Sequence, residues 1–328
     1  MAAVAVVAFA CALATLAAQS PDRYAPPRTP WGDPDLQGAW PGTDLVGTPL
    51  QRDPKYGTRN VLTEEEFQAR KTQFEKQLDT DNADFDPEHP VGNPGDVGSP
   101  TSPPPHWLER GKPQYIASLI VDPPNGRIPP MTTEAQQRNA AAAARRRGGR
   151  PPESWTDLSL YDRCITRGVA GSMLPVIYNN GNEILQAPGL VVLRNEMIHE
   201  ARVVYLDGRP HPNAAVKLWM GDSRGHFEGN TLVVETTNFD PRAPGVGPNG
   251  GGRISDELKI TEHITRIAPD RLVWRMTFDD PKTWTRPFTI ELPLRRDDNY
   301  GMYEYACHEG NYALRNILSG ARAQEAAR

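Results

Sequence analysis

The stretch LKITEHITRIAPDRLVWRMTF, residues 258–278, contains two runs of alternating side chains on either side of a turn signal, APDR. In the second run Val273, Arg275 and Thr277 share one face of an extended strand. The opposite face is apolar throughout and consists of Leu272, Trp274, Met276 and Phe278. Alternation over this length indicates strands with one buried and one solvated face. The stretch therefore predicts an antiparallel β-hairpin.

Short β-branched or aromatic runs of the same kind recur between residues 153 and 328. They are MLPVIYN, EILQA, GLVVLRN, EARVVYL, TLVVETTNF, WTRPFTIEL and MYEYA. Turn signals separate them, and Asp207-Gly208 and Gly229-Asn230 are predicted to form tight hairpin turns. Eight or nine strands without crossover helices favour a mainly β fold over a parallel α/β fold. We expect an antiparallel barrel or sandwich.

The preceding part of the chain, residues 19–152, is predicted to be irregular and partly helical. It contains a strand at 36–41, a helix at about 62–79 and a second helix at 133–146, where alanines are frequent. Thr63 and Glu66 have the spacing of a capping box at the start of the first helix. Residues 79–105 are too polar and rich in proline to pack, and they are predicted to form a long loop. The strand at 36–41 joins residues 153–328 in one integrated domain.

Residues 1–18 have the apolar run and small-residue ending of a secretory signal peptide. An alternative is a lipoprotein acylated at Cys11. The apolar run is too short for a comfortable transmembrane span. We therefore expect a secreted or periplasmic protein without a transmembrane segment.

Two cysteines, Cys164 and Cys307, follow the predicted signal peptide. In an oxidising compartment two buried thiols usually pair, so we expect a disulfide bond, with two separate buried thiols as the alternative. A bond would bring YDRCITRGV next to EYACHEGN. The residues brought together would be Tyr161, Asp162, Arg163, Arg167, His308, Glu309, Asn311 and Tyr312.

Eight blocks of the sequence resemble the signature blocks of a large family of secreted proteins from environmental bacteria, whose members are mostly of unassigned activity. They are DLQGAW, LTEEEF, SLIVDPPNGRIPPMT, DRCITRGV, MIHEARVVYLDGRPH, LWMGDSRGHFEGNTLVVETTNF, WTRPFTIELP and YEYACHEGNY. The resemblance spans nearly all of the chain after the signal peptide. It implies one integrated fold and secretion, and it assigns no catalytic residues.

A second resemblance concerns the first predicted strand. Gly38-Ala39-Trp40 resembles the G-x-W signature of lipocalin-like (calycin) barrels, in which the tryptophan closes one end of the barrel and a late arginine stacks on it. The resemblance implies an antiparallel lipocalin-like barrel with Arg315 as the stacking arginine. The ligand pocket would then open at the other end of the barrel.

The formal net charge of -5 makes nucleic acid an unfavourable partner. A small-molecule ligand or substrate fits the predicted barrel, and the sequence does not indicate an oligomeric state. GDSRG, residues 221–225, matches G-x-S-x-G, but a helix must follow such a serine and here a hairpin is predicted. We therefore expect Asp222, Arg224 and Glu228 to shape a turn at the barrel rim.

Histidines are the most informative candidates for chemistry. His199, His211 and His308 have polar neighbours at predicted strand ends, where ligand pockets open. By contrast, His263 shares a solvated face with Lys259 and Thr261, and His226 lies by a hairpin turn, while His89 and His106 fall in or beside the proline-rich loop. Three imidazoles and a carboxylate can bind a divalent metal, but the spacing of a metal motif is missing, so we predict no cofactor.

The predicted site combines acid–base groups with groups that bind the substrate. The expected catalytic residues are His308, Glu309, Asp162 and His199, and the expected substrate-binding residues are Arg163, Arg167, Tyr178, Trp274 and His211. Arginines facing a histidine and a carboxylate suit an anionic intermediate, and they suit a structural salt-bridge network equally well. On the run EARVVYL, the aliphatic face is expected to be the core, which places His199 inside the barrel.

Three classes of function remain open. The first is an enzyme, of lyase, isomerase or hydrolase type, that acts on a small, partly apolar molecule by histidine and carboxylate acid–base chemistry. The second is a lipocalin-like carrier of an apolar ligand. The third is a structural protein of the cell envelope, which a filled barrel interior would favour.

Overall fold

The computed structural model describes residues 24–82, 107–147, 151–246 and 252–327. The predicted signal peptide, His89, His106 and most of the predicted proline-rich loop lie outside these residues. The described chain is mainly β, as predicted, and its strands form one ten-stranded sheet that curls into a half-barrel. The sheet has the spatial order β1-β3-β4-β5-β6-β7-β8-β9-β10-β2.

The strands have the following bounds: β1 Gly38–Ala39, β2 Ile120–Asp122, β3 Asn182–Ala187, β4 Leu190–Asn195, β5 Ala201–Tyr205, β6 Asp222–Glu228, β7 Thr231–Thr237, β8 Lys259–Ala268, β9 Arg271–Asp279 and β10 Phe288–Arg295. The helices are α1 Glu64–Asp81, α2 Thr133–Arg147, α3 Gly168–Met173 and α4 Ala313–Ala326. Among the described helices, none is long and apolar enough to cross a membrane.

The hairpin predicted from residues 258–278 is confirmed as β8 and β9. These strands pair antiparallel, with Ile264 opposite Trp274. The four apolar residues of β9 that were assigned to the core are all at most 1 % exposed. His263 lies on the other, solvated face, as the alternation predicts.

The predicted closed antiparallel barrel is not confirmed, because the sheet is mixed and is open at its two edge strands, β1 and β2. β5 and β6 pair in parallel, with Val204 opposite Ser223 and Tyr205 opposite Arg224. A parallel pair needs a long crossover, and residues 206–221 provide it. Asp207-Gly208 therefore begins this crossover and does not form the expected tight hairpin turn. Gly229-Asn230 does form the hairpin turn predicted between β6 and β7.

Two predicted strands are missing, and two strands of the sheet, β2 and β6, were not predicted. The runs MLPVIYN and MYEYA are irregular in the structure, apart from the end of α3 at Met173. Conversely, Asp222, Arg224 and Glu228 lie on β6 and not in a rim turn. β6 is poor in β-branched residues, and its pairing with β7 along its whole length overrides its weak propensity.

The N-terminal region supplies both edges of the sheet. β1 pairs with β3 at one edge and β2 pairs with β10 at the other. The first strand is shorter than the predicted 36–41, because only two of its residues join the ladder. The capping box of α1 is confirmed: Thr63 N donates to Glu66 Oε2 over 2.7 Å and Glu66 N donates to Thr63 Oγ1 over 3.3 Å. α1 extends through Asp81, two residues beyond the predicted helix end at 79.

Trp40 is fully buried next to β1, and its indole Nε1 donates to Leu36 O over 2.9 Å. The arginines over its ring are Arg266 and Arg296, at 5.7 and 6.0 Å from the ring centroid. The expectation that Arg315 occupies this place is wrong, since Arg315 is exposed on α4. The indole therefore has the cationic neighbours that the G-x-W resemblance implies, but they come from β8 and from the end of β10.

The concave face of the sheet is packed with side chains. Arg202 on β5 reaches across two strands to Glu262 on β8, with Nη2 at 2.9 Å from Oε1, and the indole of Trp274 donates to the same oxygen over 2.9 Å. Within the described residues, the small cavity on this side has a volume of about 10 Å³, enough for one water molecule. The core thus fills the interior in which the sequence placed a ligand.

Candidate functional site

A wide cleft lies on the outer face of the sheet, opposite the core. Its volume is about 510 Å³, and it is bounded by the outer side of β6, β7 and β8 and by the start of the 206–221 crossover. Its walls combine apolar and polar groups. The lining residues are Leu206, Gly208, Arg209, Pro210, His211, Arg224, Gly225, His226, Val233, Glu235 and Thr261. A concave site with an apolar floor and a few converging polar groups suits a small, partly apolar molecule.

His211 is held in this cleft by a carboxylate. Its Nδ1 lies 2.7 Å from Asp222 Oδ2, and Arg224 Nη2 lies 3.0 Å from the other oxygen of Asp222. The Nε2 atom of His211 is shielded from solvent and has no hydrogen-bond partner among the described residues. The closest charged group to Nε2 is Glu235, whose Oε1 is 3.5 Å away. Asp222 accepting from Nδ1–H leaves Nε2 as the nitrogen that can exchange a proton.

The 206–221 crossover is anchored to the sheet next to His211. Asn238, the first residue after β7, has a left-handed backbone conformation with φ of 61°. Its side-chain amide donates to the carbonyls of Pro212, Asn213 and Val216 over 3.4, 3.1 and 3.0 Å. Asparagine tolerates this conformation better than most residues. The imidazole is therefore placed by a loop that is anchored to the sheet.

Alternation along β6 places Asp222 and Arg224 on the outer face, while Ser223 points inward. Ser223 is 4 % exposed and its Oγ lies 2.9 Å from Thr236 Oγ1. The G-x-S-x-G match is therefore part of a strand, and its serine is buried. The residues on either side of it, not the serine, contribute to the cleft.

The charges around the cleft are nearly balanced. Tyr205 lies between two arginines, with Arg209 at 4.2 Å and Arg224 at 5.1 Å from its ring centroid. Glu235 also meets Lys259, at 3.5 Å. Glu235 is 46 % exposed, whereas Asp222 is 15 % exposed.

The predicted disulfide is present, and it joins Cys164 to Cys307 with the Cα atoms 5.7 Å apart. Asn311 donates to Cys307 O over 3.1 Å, as expected for a segment held next to the bond. Beside the bond the hydroxyl of Tyr161 lies 2.9 Å from that of Tyr178 and 2.9 Å from that of Tyr305. We refer to Tyr161, Tyr178 and Tyr305 as the tyrosine cluster. Burial raises the pKa of all three phenols, that of Tyr178 to about 12.

Most of the residues predicted to be catalytic lie apart from each other. His308 and Glu309 are exposed, and in the described chain neither meets Arg163 or Arg167 in a hydrogen bond or an ion pair. Asp162 accepts from Ser159 N and Oγ over 3.1 and 2.7 Å. His308 was expected at the end of a final strand, but residues 302–306 form no strand. The disulfide therefore brings the two segments together without assembling the predicted acid–base group.

Two predicted binding residues stack on aromatic rings. The guanidinium of Arg163 lies 4.4 Å from the ring centroid of Trp155, and that of Arg167 lies 4.7 Å from the ring centroid of Tyr161. Arg167 therefore lies beside Tyr161, whose hydroxyl contacts that of Tyr178, whereas Arg163 lies beside Trp155. The predicted pocket wall Trp274 is 1 % exposed in the core and lines neither of the two cavities described above.

The expectation that His199 points into the barrel is wrong. His199 is exposed, and its Nδ1 lies 3.0 Å from Tyr305 O. It belongs to a turn in which Ile198 and His199 have positive φ values of 58° and 46°, so the alternation of β5 does not extend back to it. On β5 itself Arg202 points into the core, while Val203 is 43 % exposed. His199 and His308 line neither of the two described cavities.

His211 is the one predicted histidine that lies in the cleft. Its partners Asp222 and Arg224 were assigned to a turn, and Glu235 was not selected. The only sequence signal for them is polar alternation along GDSRGHFE, which becomes informative once β6 is known to be a strand. Among the described residues, no group of three or more histidines, cysteines, aspartates or glutamates is placed to hold a metal ion.

Comparisons of the chain with models of protein families, with curated protein sequences and with solved structures gave no match. The resemblance to secreted bacterial proteins therefore stays a prediction. What the fold and the site define together is a curled, mixed β-sheet protein with a partly buried disulfide and a histidine–aspartate pair in an outer cleft.

Proposed function

We propose that the protein is an enzyme that acts on a small, partly apolar molecule by acid–base chemistry at His211. The observation that carries the proposal is the asymmetry of the imidazole. Nδ1 is held 2.7 Å from Asp222, whereas Nε2 is buried beside a cleft of about 510 Å³ without a hydrogen-bond partner in the described chain. Buried polar atoms are normally bonded, so an unsatisfied one beside a cleft is available to a ligand.

In the proposed chemistry His211 transfers the proton and Asp222 positions it. Asp222 fixes the orientation of the ring and stabilises its positive charge when Nε2 takes a proton from the substrate. Arg224 contacts the second oxygen of Asp222 and holds that carboxylate in place. Glu235, at 3.5 Å from Nε2, is the group that can receive or return the proton. Such a pair serves reactions of lyase, isomerase or hydrolase type.

The apolar part of the substrate would contact the floor and walls of the cleft. Leu206, Pro210 and Val233 supply this surface. The filled concave side leaves little support for the alternative of a lipocalin-like carrier, because the small cavity described there holds about 10 Å³. We place the protein outside the cytoplasm, since a disulfide such as Cys164–Cys307 persists in oxidising compartments.

The test compares His211→Ala with His263→Ala, an exposed histidine on the same face of the sheet but outside the cleft. Hydrolysis of p-nitrophenyl acetate and butyrate and of small lactones covers the hydrolase type. Incorporation of deuterium next to the carbonyl of small ketones, followed by NMR, covers the isomerase and lyase types. We expect His211→Ala to lower kcat/KM by roughly 10²- to 10⁴-fold in at least one assay, while His263→Ala retains the wild-type value.

Asp222→Asn in the same assays should lower kcat more than it changes KM, because Asp222 positions the catalytic group and does not bind substrate. Circular dichroism spectra establish that each variant is folded. Equal rates for wild type and His211→Ala in every assay, with both proteins folded, would refute the proposal.

A further inference from the structure

The tyrosine cluster and Arg167 form a second polar site, separate from the cleft. None of the four residues lines the cleft. The disulfide holds the cluster together, because Tyr161 precedes Cys164 by three positions and Tyr305 precedes Cys307 by two. All four side chains are partly buried, so the site combines shielding from water with access from the surface.

The three hydroxyls lie within reach of one another. Tyr161 contacts both Tyr178 and Tyr305, and the hydroxyls of Tyr178 and Tyr305 also interact with each other. Each hydroxyl carries one proton and can turn it from a neighbouring phenol to an anion that reaches the cluster. Burial raises the pKa of each phenol, which keeps the hydroxyls protonated and therefore able to donate.

Arg167 adds an uncommitted positive charge. Its guanidinium stacks on the ring of Tyr161 at 4.7 Å, and its side chain makes no hydrogen bond or ion pair in the described chain. The nearby carboxylate of Asp162 accepts from Ser159 instead. The guanidinium is close enough to act electrostatically on all three phenols. A partly buried cation without a counter-ion is costly, so this arrangement favours the binding of an anion.

We propose that Arg167 and the tyrosine cluster bind the oxyanion group of a small molecule, a carboxylate or a phosphate. The planar guanidinium offers two parallel N–H donors to such a group, and a phenol O–H of the cluster can turn to supply a third donor from the adjacent side. The stacking on Tyr161 orients the guanidinium before the anion arrives. The Cys164–Cys307 bond fixes the distance between the two chain segments that provide the donors.

The proposal is tested with acetate and inorganic phosphate as probes. Thermal unfolding of the full chain is followed while sodium chloride is replaced by sodium acetate or sodium phosphate at constant ionic strength and pH. We expect Tm to rise with one or both anions in a saturable manner, because an anion that binds only the folded chain stabilises it. The anion with the larger effect identifies whether the site prefers a carboxylate or a phosphate.

Variants assign the effect to the site. Arg167→Gln should weaken the anion response at least about tenfold in apparent Kd, and Tyr178→Phe and Tyr305→Phe should each weaken it by a smaller factor. Arg163→Gln is the matched control, since Arg163 stacks on Trp155 nearby but outside the tyrosine cluster. Arg167→Lys keeps the positive charge but lacks the two parallel N–H donors of the guanidinium. It replaces Arg167→Gln as the test if that variant does not fold.

A second measurement uses the tyrosines themselves. Bound anion should change the near-ultraviolet circular dichroism of the wild-type protein, and this change should be missing in Tyr178→Phe. The proposal is overturned if neither anion raises Tm above the chloride reference. It is equally overturned if Arg167→Gln and Arg167→Lys respond to the anions as the wild type does.

Discussion

On each face of the sheet a basic side chain is paired with a carboxylate and leaves one buried nitrogen without a hydrogen-bond partner in the described chain. These nitrogens are Nε of Arg202 on one face and Nε2 of His211 on the other, and only the second belongs to a residue that lines the outer cleft. On the concave face Arg202 meets Glu262, and both side chains are at most 2 % exposed. Both oxygens of Glu262 are bonded, to Arg202 and to the indole of Trp274. On the outer face Asp222 holds only one nitrogen of His211, and the other nitrogen remains unbonded beside a cleft.

The difference separates a structural pair from a candidate catalytic one. A buried carboxylate whose oxygens are all occupied cannot accept a proton or a ligand without losing bonds that hold the core. The imidazole of His211 is oriented by the bond between Nδ1 and Asp222, and its Nε2 is free to bind a proton or a ligand. If this comparison is correct, variants on the concave face should cost stability, and variants in the cleft should cost activity.

The largest expected effect is on the concave face. Glu262→Gln leaves the guanidinium of Arg202 buried without a counter-ion, and we expect the free energy of unfolding to fall by about 3–5 kcal/mol. Unfolding in urea at pH 7 measures this loss. A loss below about 1 kcal/mol would show that Arg202 finds another partner and that the pair does not stabilise the curl of the sheet.

The double variant Arg202→Met, Glu262→Met is the control for that experiment. Replacing both members of a buried ion pair by apolar residues is often neutral or stabilising. We therefore expect it to be more stable than Glu262→Gln alone, and it remains measurable if the single variant does not fold. The comparison then separates the cost of an unpaired charge from the cost of changing the packing.

The pattern of side chains predicted the core side of β8 and β9 because both strands are flanked by antiparallel neighbours and alternate strictly. It failed on β5, where Arg202 is inside and Val203 outside. The partner of Arg202 is Glu262, sixty positions later, and no local pattern reveals that such a partner exists. Alternation is therefore decisive only where the buried face is apolar.

The candidate site was harder to predict than the fold. His211 was selected for its polar neighbours, but its pairing with Asp222 depends on a parallel connection between β5 and β6. The motif LDGRP favours a hairpin turn locally, and only the pairing of β6 with β7 and β5 shows otherwise. The disulfide was predictable from two cysteines, whereas the residues that it brings together depend on loop conformations without a sequence pattern.

A smaller effect on stability is expected in the cleft. Asp222→Asn removes the charge that His211 and Arg224 both contact, and bonds to a charged group contribute about 1.5–3 kcal/mol. Because these side chains are partly exposed, we expect a loss at the lower end of that range by urea unfolding. A loss as large as that of Glu262→Gln would contradict the comparison, since the cleft pair would then be a structural element.

Glu200 provides a third carboxylate for comparison with Glu262 and Asp222, because one of its oxygens has no hydrogen-bond partner in the described chain. Its Oε1 is buried without a hydrogen-bond partner in the described chain, and burial raises its pKa above the ordinary value of 4.5. The folded chain therefore holds this proton more tightly than the unfolded chain does. It follows that the free energy of unfolding falls as the pH rises from 4.5 through the raised pKa.

Glu200→Gln removes this dependence. The variant should be more stable than the wild type at pH 7, by about 1 kcal/mol on the scale of one unsatisfied buried group. The difference should shrink at pH 4, where the wild-type carboxyl is largely protonated. Thermal unfolding of both proteins at the two pH values measures the difference. A gain in stability over wild type that is smaller at pH 7 than at pH 4 would contradict the prediction.

The smallest effect is expected for an arginine–glutamate pair on the outer face. Arg275 on β9 lies opposite Glu291 on β10, with Nε at 2.5 Å from Oε2, and Arg275 is 58 % exposed. The residue types are those of Arg202 and Glu262, so the two pairs differ mainly in burial. Water screens the exposed pair, and both side chains lose rotational freedom in forming it, so Arg275→Ala should cost between about 0 and 1 kcal/mol.

The salt dependence of that cost provides the control. Raising sodium chloride from 0.1 to 1 M shortens the screening length from about 10 to 3 Å, so the effect of Arg275→Ala should diminish. The effect of Glu262→Gln should persist, because ions do not reach the core. If Arg275→Ala instead cost more than about 2 kcal/mol, and did so in high salt, burial would not be the property that distinguishes the two faces of the sheet.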